Sequence, residues 1–227
     1  MNFKTIVKKV NLHVGSQGTI VSVEATDYQE YLAEAVRSAW SNLQNERQDW
    51  KFMWQTATFN TALNQTLYPD TDIMTAIGSD HGVAKWKTDS IFKDGEKQIE
   101  MDFQEYWDNS DDYDASLNNN KFAVQDYRPS GLIIPSADGP SVIRADYYRT
   151  AQLMTTNLDV PLLPEEFHYI IVWQALEDVA SYLGNQAIYE RHSWKYDVLL
   201  PKLMRSQVPA KRAKKRPLYR SRINQYT

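Results

Sequence analysis

The sequence predicts an α+β fold in which helices from both ends of the chain form a bundle, a β-rich insertion occupies the middle, and a basic arm extends from the C-terminus. Three observations support this prediction. Apolar residues recur at helical spacing near both ends, short stretches rich in Thr, Phe and Trp fill the middle, and residues 202–227 contain nine Lys or Arg and no acid. We divide the chain into a single domain, residues 1–206, and an extended arm, residues 207–227.

Two helices are predicted before residue 50. The first covers residues 3–13, where apolar side chains recur every three or four positions, and the glycine-flanked residues 15–18 are typical of a turn. The second covers residues 27–47, because Asp27 and Glu30 resemble a capping box and the apolar residues that follow lie on one helical face.

The middle of the chain, residues 50–158, is predicted to be rich in β-strands. Pro, Gly and Asp in residues 68–70, 78–82 and 94–95 are typical of turns between strands. Residues 135–140 have the turn composition of a hairpin, which would join the apolar runs on either side, 132–134 and 142–148.

A short helix is predicted inside this region. Helical spacing returns for about three turns at Ile99, Phe103, Tyr106 and Trp107. The polar residues 108–120 should then form a loop.

Two further helices are predicted near the C-terminus. The helix at residues 164–183 begins with Pro164 and two glutamates, which favour a helix start, and it ends before Gly184, which favours a stop. Because it is apolar around much of its circumference, we expect it to be buried on more than one side. A helix from about residue 185 to residue 200 or beyond follows, and Pro201 should limit or kink it.

Composition excludes several classes of protein. A chain of 227 residues, 42% hydrophobic and 24% charged, can bury an ordinary globular core. It has no run of about 18 apolar residues that would cross a bilayer, and lysines interrupt the apolar residues of the first ten positions before a signal-type stretch develops. The absence of cysteine excludes thiolate zinc sites and disulfides, and a reducing cytoplasm is the simplest place of synthesis.

Aromatic content and charge distribution are unusual. Fourteen Tyr, seven Trp and seven Phe are enough rings for a large aromatic core or for interfaces with other chains, where such rings are enriched. Outside residues 202–227 the chain has 16 basic and 29 acidic side chains, so an acidic body carries a basic tail.

The sequence contains no motif that indicates a catalytic, cofactor or metal site. The acidic residues 108–114 fail as the start of an EF-hand because Tyr113 and Asn119 stand where Gly and Glu are required, although a weaker, irregular cation site there is a second interpretation. The four histidines lack metalloprotease spacing, and neither a nucleophile elbow nor a phosphate-binding loop is present. We therefore expect no enzyme activity, no cofactor and no bound metal.

The basic tail carries enough positive charge to bind a negatively charged partner. Residues 211–216 place five positive charges in six positions, enough to bind phosphates, nucleic acid or an acidic protein surface with salt-sensitive affinity. A solvated, disordered end is the alternative, but such a tail has no need of the apolar residues between the charges. We predict that the arm docks on a neighbouring protein through Lys211, Arg212, Lys214, Lys215, Arg216, Leu218, Tyr219, Arg220, Arg222, Ile223 and Tyr226.

Three motifs, in their order along the chain, resemble one known family. They are WSNLQNERQDWKF at residues 40–52, Trp86 with DSIF at residues 89–92, and DVPLLPEEFHYIIV at residues 159–172. Over about residues 20–205 they resemble the head-to-tail adaptor, or head completion, proteins of tailed bacteriophages.

The resemblance implies a structural protein of the virion neck. It implies a ring, commonly of twelve subunits, that binds beneath the portal, extends the DNA channel and offers a platform for tail or nozzle proteins. In several members the C-terminal segment reaches the portal. DNA would pass through the channel without sequence-specific binding, because an acidic lumen repels phosphates. No membrane is implied.

In this arrangement we expect the arm to dock on the portal. We expect aromatic and apolar side chains of the two long helices and their flanks to pack the bundle and part of the subunit interface, namely Trp40, Trp50, Phe167, Ile171 and Trp173. Three alternatives stay open. They are a tail-tube or tail-completion protein of the same virion, a nucleic-acid-binding protein that uses the basic arm, and an unrecognised enzyme with a deep polar pocket.

Overall fold

The computed structural model describes residues 1–15, 20, 22–23, 27–47, 49–63, 65–108, 120–135 and 140–207. It confirms the α+β class, because the described residues form six α-helices and eight strands in two sheets. The helices are α1 (Phe3–Val14), α2 (Asp27–Asn45), α3 (Asp70–Ala76), α4 (Phe103–Asp108), α5 (His168–Tyr182) and α6 (Gln186–Gln207). The strands are β1 (Trp54–Asn60), β2 (Leu67–Pro69), β3 (Val83–Lys93), β4 (Glu96–Lys97), β5 (Ile99–Glu100), β6 (Lys121–Gln125), β7 (Gly131–Ile133) and β8 (Val142–Arg149).

Helices α1, α2, α5 and α6, which we call the helical part, surround one apolar core. Helix α5 is central to it and packs against the other three. Its Ile170, Ile171 and Leu176 are fully buried, which confirms that this helix is covered on more than one side. Within the described ranges, no helix is long and apolar enough to cross a membrane.

Local signals explain where the predicted helices begin and end. The Asn2 side chain accepts a hydrogen bond from the backbone N–H of Thr5 at 3.0 Å and so satisfies one of the free donors at the start of α1. Gly15 closes that helix with φ 85°, a left-handed conformation that glycine adopts without steric cost. Gly184, with φ 60°, follows α5 in the same way.

The β-rich insertion has a separate apolar core. One sheet has the strand order β1-β8-β3-β4 and the other the order β2-β7-β6-β5, and the core takes residues from both sheets and from α3. The Trp86 indole N–H donates to Asp70 Oδ1 at 2.8 Å, which joins β3 to the start of α3. At Gly131 a Cβ atom would lie 2.3 Å from the Tyr68 carbonyl oxygen, so only glycine allows β7 to approach β2 this closely.

The insertion leaves and rejoins the helical part at one place. Strands β1 and β8 are antiparallel neighbours, and Trp54 at the start of β1 is paired with Tyr148 near the end of β8. Residues 150–164, which we call the return segment, lead from β8 back to α5.

The structure corrects three predictions about the insertion. The runs 132–134 and 142–148 do not form a hairpin, because β7 and β8 belong to different sheets. The predicted three-turn helix is shorter and comprises only α4, since Ile99 lies in β5 and pairs with Lys121 of β6. Residues 68–70 are not a turn, because β2 ends and α3 begins there.

Helix α6 extends beyond residue 200, as the prediction allowed. Pro201 lies inside the helix, which continues to Gln207. Proline removes one backbone hydrogen bond to the carbonyl of Asp197, but both residues are exposed, so water can satisfy that carbonyl. Most of the predicted loop 108–120, the centre of the predicted turn 135–140 and residues 208–227 of the arm lie outside the described residues.

Candidate assembly surface

Helix α6 presents to solvent a stripe of side chains that is apolar at its centre and has an arginine at each end. Its buried side chains, His192 and Leu203, belong to the face that packs on α5. The exposed residues Arg191, Trp194, Val198, Pro201 and Arg205 recur at alternating spacings of three and four, which places them on one side of the helix. We call these five residues the α6 stripe. Trp194 is 57% exposed, and a large ring that is fixed on a helix at this exposure is typical of a protein-binding surface.

The return segment presents a second apolar surface. Leu153, Leu158 and Val160 are largely exposed, although the backbone that carries them is firmly held. The Phe3 N–H donates to the Asp159 carbonyl at 2.7 Å, and Arg37 Nε donates to the Met154 carbonyl at 3.0 Å. The segment is therefore tied to α1 and α2, whereas the α6 stripe is carried by a helix that packs on α5.

A third exposed group lies where α5 ends beside α2. The rings of Tyr31 and Tyr182 are 4.4 Å apart, and Tyr182 and Leu183 are exposed. The Tyr31 hydroxyl donates to the Asp178 carbonyl at 3.5 Å. Burial and the nearby Asp178 carboxylate raise the pKa of Tyr31.

Below the α6 stripe, a stack of rings joins α1, α5 and α6. The Trp173 ring lies between His192, at 5.2 Å and nearly parallel, and Tyr169, at 5.6 Å. His13 contacts both Trp173 and His192, and Lys195 Nζ lies 4.3 Å from the Trp173 ring centre. Burial lowers the pKa of His192 to about 4, with further contributions from Lys195, His13 and Arg191, and burial also lowers the pKa of His13.

We predict that this stack makes the protein less stable in mild acid. In the unfolded chain His192 takes up a proton near its ordinary pKa of 6.5, whereas in the folded protein it does so only at about 4. The unfolded state therefore binds more protons between these two values. The free energy of unfolding should fall by about 1–2 kcal/mol between pH 7 and pH 5, as measured by urea denaturation.

His192→Phe should remove most of that pH dependence, because phenylalanine can stack on Trp173 but does not titrate. His81→Phe is the control, since His81 lies in the insertion, away from the stack; burial lowers the pKa of His81 as well, so this variant should lose only a smaller part of the pH dependence. If His192→Phe showed the same loss of stability in acid as the unaltered protein, the stack would not be its source.

The structure places the five predicted packing residues inside the chain. Trp40, Trp50, Phe167, Ile171 and Trp173 all belong to the core of the helical part. Their part in a subunit interface stays a prediction. The eleven predicted docking residues of the arm, Lys211 to Tyr226, lie outside the described residues, so their role also stays a prediction.

Sequence reasoning missed the surface residues. The α6 stripe has a signal in the sequence, since Trp194, Val198 and Pro201 are spaced at four and three. The sequence does not show that these side chains are exposed, because their exposure follows from the packing of the opposite face of α6 on α5. As for metals, the described ranges contain no group of three or more His, Asp or Glu side chains close enough to hold an ion.

Exposed aromatic side chains on helices that pack on a common core favour a protein that binds other protein chains, because aromatic residues are enriched at such interfaces. The chain belongs to the SU10 adaptor protein family, whose model matches residues 1–216. This match confirms the resemblance to the head-to-tail adaptor proteins of tailed bacteriophages. No curated protein sequence matches the chain.

Proposed function

We propose that the protein is a head-to-tail adaptor in the neck of a tailed bacteriophage. Twelve copies form a ring beneath the portal, which extends the DNA channel and carries the platform for tail or nozzle proteins. The observation that carries this proposal is the family match, because residues 1–216 include both the helical part and the β-rich insertion. The function is structural and requires no catalytic site.

The exposed apolar surfaces support the formation of a ring. A ring needs two different surfaces on each subunit, so that one copy binds the next in a head-to-tail manner. The α6 stripe and the return segment are two such surfaces, carried by different elements of the helical part. In this arrangement Trp40, Trp50, Phe167, Ile171 and Trp173 pack the helical bundle and hold the interface helices in position.

The charge distribution supports two further parts of the proposal, namely the docking of the arm on the portal and the passage of DNA through the channel. The arm, with five basic residues between 211 and 216, docks on the portal, and twelve linked copies make many weak contacts into a stable attachment. The remaining body is acidic, so a channel lined by it repels DNA phosphates and lets the genome pass without sequence-specific binding.

Trp194→Glu is the test of the proposed ring. A charge in the centre of an apolar interface should prevent the ring from forming on the portal, with a loss in affinity of at least about a hundredfold. The measurement is the mass of the complex by sizing chromatography with light scattering, for the full-length protein mixed with its candidate portal ring.

Trp107→Glu is a matched control, because Trp107 is 59% exposed but lies on α4 in the insertion. It should join the portal normally. If both variants assembled equally well with the portal, the α6 stripe would not be part of the interface. A ring of a different symmetry would favour a tail-tube or tail-completion protein, and binding to duplex DNA without the portal would favour a nucleic-acid-binding protein.

A further inference from the structure

A polar cavity of about 440 Å³ lies where the insertion meets the return segment. Three stretches of chain form its wall, namely the turn after α3, the end of β8 and the first part of the return segment. The lining residues are Asp80, His81, Arg149, Thr150, Ala151, Gln152, Leu153, Thr155 and Asp159. It is separate from the α6 stripe.

Arg149 is an unusual residue to find in this wall. Its side chain is only 4% exposed, and its Nε atom is fully buried and has no hydrogen-bond partner among the described residues. No carboxylate of the described chain lies within ion-pair distance of its guanidinium group. Burial lowers the pKa of Arg149, and the nearby Asp80 carboxylate offsets part of this shift.

The acidic residues of the cavity do not supply the missing partner. Asp80 is 85% exposed and contacts His81 at 2.7 Å instead. Asp159 accepts hydrogen bonds from the backbone N–H groups of Thr155 and Thr156, at 2.6 and 2.7 Å, and from the hydroxyl of Thr156 at 2.6 Å. These donors lower the pKa of Asp159 and keep its carboxylate ionised and occupied. The cavity therefore contains a buried guanidinium group that no carboxylate of the described residues contacts directly, and Asp80 acts on it only from beyond ion-pair distance.

We propose that this cavity binds a carboxylate, which is the side chain of an Asp or Glu from a neighbouring protein chain in the assembled particle. An arginine guanidinium group pairs with one carboxylate through two parallel hydrogen bonds, and the cavity has room for such a group. Asp80 and Asp159 line the same cavity and disfavour any anion, but they disfavour a phosphate more than a carboxylate because a phosphate carries more negative charge.

This assignment also explains why a buried arginine is retained. An unpaired buried charge destabilises the free subunit, whereas a partner carboxylate removes that cost when the subunit joins its neighbours. The identity of the donor as a neighbouring chain rests on the proposed function. The proposal that the cavity binds a carboxylate is independent of that function.

The first experiment titrates sodium acetate into the full-length protein at constant ionic strength, with chloride as the balancing anion, and follows backbone amide signals by NMR. The amides of His81 and Thr150 should shift and saturate. Arg149→Met should abolish the shift, whereas Arg144→Met, which removes an exposed arginine from the same strand, should retain it. Inorganic phosphate should need a several-fold higher concentration for half-saturation. The absence of a saturable shift, its persistence in Arg149→Met, or tighter binding of phosphate would each overturn the assignment.

The second experiment compares the assembly of the same variants with the portal ring by light scattering. Arg149→Met should need at least about tenfold more protein to form the complex, and Arg144→Met should behave as the unaltered chain. Equal assembly by all three would overturn the neighbouring chain as the donor. If the unaltered protein itself formed no complex, the proposed adaptor function would fail, and the acetate titration would still decide whether the cavity binds a carboxylate.

Discussion

Trp50→Ala should lower the free energy of unfolding by about 3–5 kcal/mol, as measured by urea or thermal denaturation. Trp50 is fully buried in the core of the helical part, and its ring lies 5.4 Å from the ring of Phe52. Its indole N–H donates to the carbonyl of Leu43 at 3.0 Å, which ties the chain after α2 back to the last turns of that helix. The substitution leaves a large cavity and also removes the donor that satisfies a buried carbonyl.

Trp54→Ala is the matched control for this prediction. Trp54 lies four residues further along the chain, at the start of β1, and is 36% exposed. The substitution removes the contact between the Trp54 ring and Lys87, whose Nζ is 4.1 Å from the ring centre. It should lower the free energy of unfolding by only about 1 kcal/mol. If the free energy of unfolding fell by similar amounts in the two variants, the burial of Trp50 would not contribute more to stability than the exposed Trp54.

Deletion of residues 208–227 should abolish binding to the portal, with an affinity loss of at least about a hundredfold, and should leave the fold intact. The deletion begins after Gln207, where α6 ends, so it leaves in place every residue that the structure describes in the two apolar cores. The measurement is the mass of the complex with the portal ring, accompanied by a melting curve of the truncated protein alone.

A second variant separates the charge of the arm from its apolar residues. Replacement of Lys211, Arg212, Lys214, Lys215 and Arg216 by glutamine keeps the length and the apolar residues but removes five charges. Binding of this variant should be weaker than normal and much less sensitive to salt. Normal binding by the truncated protein would contradict the docking role of the arm.

The helices of both ends could be predicted from the sequence because each has a local signal. Apolar residues recur at helical spacing in α1, α2 and α5, and glycines with positive φ angles follow α1 and α5. Helix α3 was missed because seven residues are too few for a visible period, although Pro69 and Asp70 are residues that favour a helix start. The end of α6 could not be fixed from the sequence, because exposure lets water replace the hydrogen bond that Pro201 removes and the helix continues past the proline.

Strand partners could not be predicted in the same way. Whether β7 pairs with β8 or with β2 and β6 depends on contacts between residues far apart in the chain, and the composition of residues 135–140 fits either case. The carboxylate cavity had no signal at all, because Arg149 resembles any other arginine until its burial and its lack of a partner are known. The basic arm is the opposite case, since its charge is evident from the sequence alone.

The pairing of Trp54 with Tyr148 has an evolutionary consequence. Because the insertion leaves and re-enters the helical part through two adjacent strands, its two ends stay together whatever lies between them. It also has its own apolar core, so changes in its length or sequence need not disturb the helices. Selection on the helical part, which every neighbouring copy would contact, can therefore act separately from selection on the insertion. If the helical part forms the proposed ring, the insertion can change as a unit while the contacts of the ring stay the same.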